Sequence, residues 1–116
     1  MDTRPVNTLS KEERLSGKAA IGALTSKGRW GHLGHFKYCT LDNGLEINRI
    51  MVSVPKRNFK RAVRRNLLKR RIREAYRTQK SLLAGGSDIL FFYNSQEICD
   101  SDVIRAEVGE ILTRLR

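Results

Sequence analysis

Ala62-Val-Arg-Arg-Asn-Leu-Leu-Lys-Arg-Arg-Ile-Arg-Glu74 is the stretch that decides how this 116-residue chain folds and what it can bind. Wound as a helix at about 100° per residue and continued through Ala75 and Tyr76, it sets Leu68, Ile72, Ala75 and Tyr76 within a sector of roughly 100°. That stripe predicts a helix laid against a core. The same winding gathers Asn66, Lys69, Arg70, Arg73 and Arg77 in a second sector of roughly 100°, with Arg64 and Arg71 on the opposite flank. Residues 56–80 hold 12 of the chain's 23 Lys and Arg but a single acid, Glu74. A solvated helix face usually intersperses Glu with its cations, whereas Arg65–Lys69, Lys69–Arg73 and Arg73–Arg77 place like charges at i, i+4, each costing a few tenths of a kcal/mol. An anionic partner offsets that cost. Arginine predominates, and its planar fork grips phosphate in pairs of hydrogen bonds and stacks on unpaired bases, which favours nucleic acid over a lipid surface. Lys56, Arg57, Lys60, Arg61, Arg64, Arg65, Asn66, Lys69, Arg70 and Arg73 are therefore the candidate RNA-binding residues.

Composition agrees with a small basic globule. The chain carries a net charge of +11 with 40% hydrophobic residues, enough for a core and too many for disorder. Its length suits one domain able to bury about two-thirds of its unfolded surface. Cys39 and Cys99 stand far apart and outside any C-x-x-C pair, so both are expected reduced in a cytoplasmic protein. No apolar run approaches the roughly 20 residues of a membrane span, and the first ten residues lack the apolar core of an export signal. Residues 1–14, polar and broken by Pro5, are expected to form a flexible arm ahead of a domain at residues 15–116.

Outward from the basic stretch, the elements follow in turn. Ser16 is the expected cap of a short first helix ending at Gly28. Residues 28–34, with glycine at every third position, read as an irregular connection or a short extra strand. Residues 35–41 alternate, with Phe36, Tyr38 and Thr40 on one face and Lys37, Cys39 and Leu41 on the other. Asp42-Asn43-Gly44 suits a tight turn, which predicts that this strand pairs antiparallel with one over residues 45–54. Pro55 ends that strand and the basic helix follows, closing near residue 80. Asp88-Ile-Leu-Phe-Phe-Tyr93 is a continuous apolar run fit for a sheet interior. A last helix is expected from a cap at Ser101 or Asp102, with Ile104, Val108, Ile111, Leu112 and Leu115 inward.

The basic stretch, preceded by Val52-Ser-Val-Pro-Lys56, resembles the signature of the bacterial ribonuclease P protein component. That family shows V-S-x-x-K and then A-V-x-R-N-R-x-K-R-x-x-R-E, which Arg65, Asn66, Lys69, Arg70, Arg73 and Glu74 match. Leu67 departs from it where arginine is usual, and Thr25 stands where an aromatic is expected in the first helix. The resemblance implies an α+β sandwich in the order α-β-β-β-α-β-α, with a four-stranded sheet and a left-handed β-α-β crossover. It also implies a role as protein subunit of ribonuclease P, a monomer in a 1:1 particle. The basic helix would dock on the catalytic RNA subunit. A cleft between the first helix and the sheet, including Lys37 and Cys39, would take the 5′ leader of precursor tRNA. Magnesium is implied only through the RNA, with no cofactor on the protein.

The residues themselves suggest no protein active site. Acids are scattered, no Ser-His-Asp or Cys-His arrangement emerges, and His32 and His35 lack the neighbouring ligands in sequence that a metal site needs. A ribosomal or other structural RNA-binding protein is the competing function. A DNA-binding helix fits less well, since the cations run along the whole helix and leave no separate recognition end.

Overall fold

The apolar run read as a sheet interior is the strand through the middle of the molecule. In a computed structural model, which describes residues 11–116, the order is α1 Lys18–Lys27, β1 Arg29–Leu33, β2 Phe36–Asp42, β3 Arg49–Ser53, α2 Ala62–Arg77, β4 Ser87–Tyr93 and α3 Ser101–Arg114, with short 3-10 turns at Lys11–Glu13 and Lys80–Leu82. The sheet runs β1-β2-β4-β3. β4 pairs antiparallel with β2 and parallel with β3, so both of its edges are covered, as an uninterrupted apolar strand requires.

Alternation along β2 and β4 sorts two cores. Phe36, Tyr38, Ile89, Phe91 and Tyr93 face α2 and α3, where they join Leu68, Ile72, Tyr76, Ile104, Val108, Ile111 and Leu112 in one cluster. Cys39 and Leu90 face the other way, against Leu24 of α1 and Leu15. The stripe predicted for the basic helix, Leu68, Ile72, Ala75 and Tyr76, is its buried face. A sheet with two helices on one side and one short helix on the other results, and α1 covers only part of its side.

The strand pairing expected across Asp42-Asn43-Gly44 does not occur. β2 and β3 are separated by β4, and β3 begins only at Arg49. Asn43 uses its side chain to tie the connection down: its Nδ2 donates to Ile47 O at 3.1 Å and to Asp88 Oδ1 at 3.0 Å, and its Oδ1 accepts from Leu45 N at 2.8 Å. Backbone bonds Asn43 N to Gly86 O and Gly86 N to Ile47 O then step the chain across the start of β4. The true hairpin joins β1 and β2. Leu33 pairs with Phe36 across Gly34 and His35, and Gly34 takes φ +55°, the positive angle such a two-residue turn demands at its first position. The glycine-spaced stretch is thus a regular edge strand. Gly31 lies beneath Tyr38, whose Cζ would stand 2.3 Å from any added Cβ.

Two caps shift by one residue. Gly17 rather than Ser16 precedes α1, without a side-chain cap, and Asp100 rather than Ser101 or Asp102 caps α3, its Oδ1 accepting from Val103 N at 3.0 Å. Of the expected arm over residues 1–14, only residues 11–14 are described, and these pack on the body. Residues 1–10 lie outside the described region, while Glu13 pairs with Lys80 at 3.0 Å, Arg14 bridges to Ile50 and Leu15 N donates to Ile50 O at 2.7 Å.

Candidate nucleic-acid interface

α2 begins without a side-chain cap and without an acid in its first turn, so its N-terminal dipole and its cations add to one positive field. Arg65 orders the approach: its Nη1 donates to Phe59 O at 2.7 Å and to Lys60 O at 2.9 Å, pinning the loop that carries Lys60 and Arg61. Phe59 and Val54, both buried, anchor the same loop from beneath. Arg71 donates to Cys99 O at 2.6 Å, and Arg77 closes on Glu74. Those three arginines have structural partners. By contrast Lys56, Arg57, Lys60, Arg61, Arg64, Lys69, Arg70 and Arg73 form no ion pair among the described residues. Val63, Asn66, Leu67 and Arg70 line a shallow hollow on this face, and Arg73 lines a groove with Arg14, Ser16 and Met51 along the β3 edge.

The second candidate surface is the α1 side of the sheet. The strand registers align Trp30, Cys39, Leu90 and Met51 in one row, and His32, Lys37, Phe92 and Ser53 in the next. α1 covers the first row at its centre. Cys39 is fully buried, and its Sγ donates to Leu24 O at 3.2 Å. It therefore corrects the expectation drawn from the resemblance: Cys39 floors the α1 contact and faces no open cleft, because Leu24 sits directly over it. Lys37 and Phe92 are half-buried and His32 is exposed, so the second row is the accessible one. Trp30 and His32 were missed as site residues because the glycine-spaced stretch left open whether it is a connection or a short strand, and so gave no face to either side chain. The signal present was the pair of large residues on each side of Gly31, at 29, 30, 32 and 33.

Several acids are engaged with cations. Asp88, buried, takes a two-pronged bond from Arg49, with both distances 2.8 Å, and holds β3 against β4. His35 Nδ1 lies 2.7 Å from Glu107 Oε1, and Glu97 Oε2 is 3.6 Å from the other ring nitrogen. The Glu107 hydrogen bond raises the His35 pKa, and the pair clasps the β1–β2 turn to α3. Folding also brings Cys99 to this histidine, so that His35, Glu97 and Cys99 lie within 4.8 Å of one another, a grouping invisible in the sequence. No helix among the described residues is long and apolar enough to cross a membrane.

Known proteins resemble this chain in sequence and fold. A family model described as Ribonuclease P matches residues 9–116. The ribonuclease P protein component of Syntrophus aciditrophicus is 31% identical over 109 residues, covering 92% of this chain and 90% of that protein. That of Porphyromonas gingivalis is 35% identical, covering 99% and 91%. Among solved structures, the RNase P protein from Thermotoga maritima superposes with a TM-score of 0.80 at 26% identity, over 90% of this chain and 98% of that one. The Staphylococcus aureus RNase P protein gives 0.75 at 25% identity, over 89% and 94%.

Proposed function

This chain belongs to the ribonuclease P protein family, and on that premise we propose that it acts as the non-catalytic protein subunit of ribonuclease P in the 5′ maturation of tRNA. The observation that carries the proposal is the set of eight cations on α2 and its approach loop without acidic partners among the described residues. Such a face neutralises the phosphates of a folded RNA and releases its counterions, which supplies affinity without reading sequence. Asn66, Lys69, Arg70 and Arg73 form the centre of the contact with the RNA subunit, and Lys56, Arg57, Lys60, Arg61 and Arg64 extend it along the loop and first turn. Arg65 acts there chiefly by ordering that loop.

The accessible row His32–Lys37–Phe92 beside α1 receives the leader of precursor tRNA, with Lys37 meeting phosphate. Bond cleavage belongs to the RNA and to magnesium ions held by it, as membership of the family implies. One chain joins one RNA subunit.

Reconstitution tests the proposal. Precursor tRNA cleavage by the RNA subunit at low magnesium should rise on addition of this chain. An unchanged rate, with the chain recovered instead on ribosomal particles, would support a structural RNA-binding role.

A further inference from the structure

The chain's single tryptophan is also its largest exposed apolar side chain. Trp30 keeps 52% of its surface in solvent, on an edge strand and on the α1 side of the sheet. Isolated exposed apolar residues are ordinary and need no function. Trp30 differs in being fixed. Its indole Nε1 donates to Thr25 O at 3.3 Å, near the end of α1, which satisfies its one polar atom and restricts the ring. The strand beneath is held too: Arg114 Nη1 donates to His32 O at 2.9 Å, and Gly31 packs on Tyr38. An aromatic surface is thus displayed on rigid support. Two positions along, His32 adds a second exposed ring on the same face, opposite Lys37, and Lys27, exposed at the end of α1, lies three residues before the tryptophan.

Pinned aromatic rings amid cations are how proteins hold single-stranded nucleic acid whatever its sequence, because every base has a π-face. We propose that Trp30 stacks on an unpaired base of the precursor tRNA leader while Lys37 meets leader phosphate. This rests on the leader lying along the α1 side of the sheet, and it adds that the strand continues past the end of α1 to the β1 edge. The contact selects single-stranded RNA of any sequence over a paired or absent leader.

The test uses the reconstituted holoenzyme with precursor tRNA, the same precursor with abasic leader nucleotides, and mature tRNA. Trp30→Ala should weaken precursor binding about 5- to 100-fold and leave mature tRNA unaffected, the unchanged mature affinity also showing that the variant is folded. Trp30→Phe should retain most of the affinity. Abasic leader should weaken the native holoenzyme to the level of Trp30→Ala and cause no further loss in that variant. Fluorescence from the sole tryptophan should be quenched by precursor and not by mature tRNA. Native precursor affinity in Trp30→Ala, with Lys37→Ala still defective for precursor alone, would overturn the stacking role while leaving the leader path intact. A native holoenzyme that binds precursor and mature tRNA equally would overturn the leader path itself.

Discussion

The Cys39 thiol lies under Leu24 with no exposed surface, and loss of hydration pushes its pKa up. Both effects suppress the thiolate that reacts with alkylating reagents. Cys99 is only half-buried. Iodoacetamide should therefore label Cys99 in the native protein and Cys39 only after unfolding, with mass spectrometry reading the sites. Native labelling of Cys39 would mean that α1 lifts from the sheet. His35 gives a second expectation at this scale. Its pKa is raised above the ordinary 6.5 by the Glu107 hydrogen bond, so the folded state holds the proton more tightly than the unfolded one. The clasp's contribution is present in full below about pH 6.5 and is lost as pH rises through the raised folded value. Melting temperature should fall across that window in the native protein, and Glu107→Gln should flatten the decline. An identical decline in the variant would place the titration elsewhere. Neither His35 nor Cys39 revealed its role in the sequence, because their partners come from α3, 72 residues away, and from α1.

At the scale of elements, α2 was the most legible part of the chain. Its apolar spacing alone named Leu68, Ile72, Ala75 and Tyr76, and those four are its buried residues. Periodicity worked because the helix has one wet side and one dry side. Leu68 and Ile72 are both fully buried between the sheet and α3, so Leu68→Ala or Ile72→Ala should cost about 2–5 kcal/mol, measured by urea unfolding. A loss below about 0.5 kcal/mol would mean that the helix presents a different face. Strand pairing was far less legible. Asp42-Asn43-Gly44 has the composition of a hairpin turn, yet the Asn43 side chain and the backbone of Gly86 redirect the chain over β4. Turn residues state that the chain bends; which strands become neighbours is settled by the apolar run of β4, which needs partners on both edges. Likewise β1 was obscured by glycines whose purpose, clearance beneath Tyr38 and a positive φ at the turn, depends on residues remote in sequence.

Across the whole molecule, the sheet separates two kinds of surface. α2 and its approach loop expose cations and bury their aromatics, Phe59 and Tyr76, which suits the phosphates of a folded RNA, whereas the α1 side carries Trp30, His32, Lys37 and Phe92, suited to a single strand. One domain can thus hold the RNA subunit and a substrate's leader at once. The charge-bearing surface was readable from the sequence because clustering of cations needs no tertiary information. Of the proposed single-strand surface, the sequence offered only Lys37, since the rest of it is assembled by strand register. Lys37→Ala should weaken precursor tRNA binding by about 1 kcal/mol at moderate salt and spare mature tRNA. Equal losses for both RNAs, or none, would remove Lys37 from the leader path.

The claim on which the account depends is that the α2 cations are the contact with the RNA subunit. Its most direct measurement is the affinity of the chain for that RNA across a series of salt concentrations, for the native protein and for the triple variant Lys69→Ala, Arg70→Ala, Arg73→Ala. Arg70 and Arg73 are exposed and Lys69 half-buried, and none has an acidic partner among the described residues, so the variant should fold normally. Removing about three phosphate contacts should flatten the slope of log K against log salt by roughly 2 to 3 units and weaken binding at low salt. An unchanged slope and affinity in the folded variant would contradict the account and put the RNA subunit on another face.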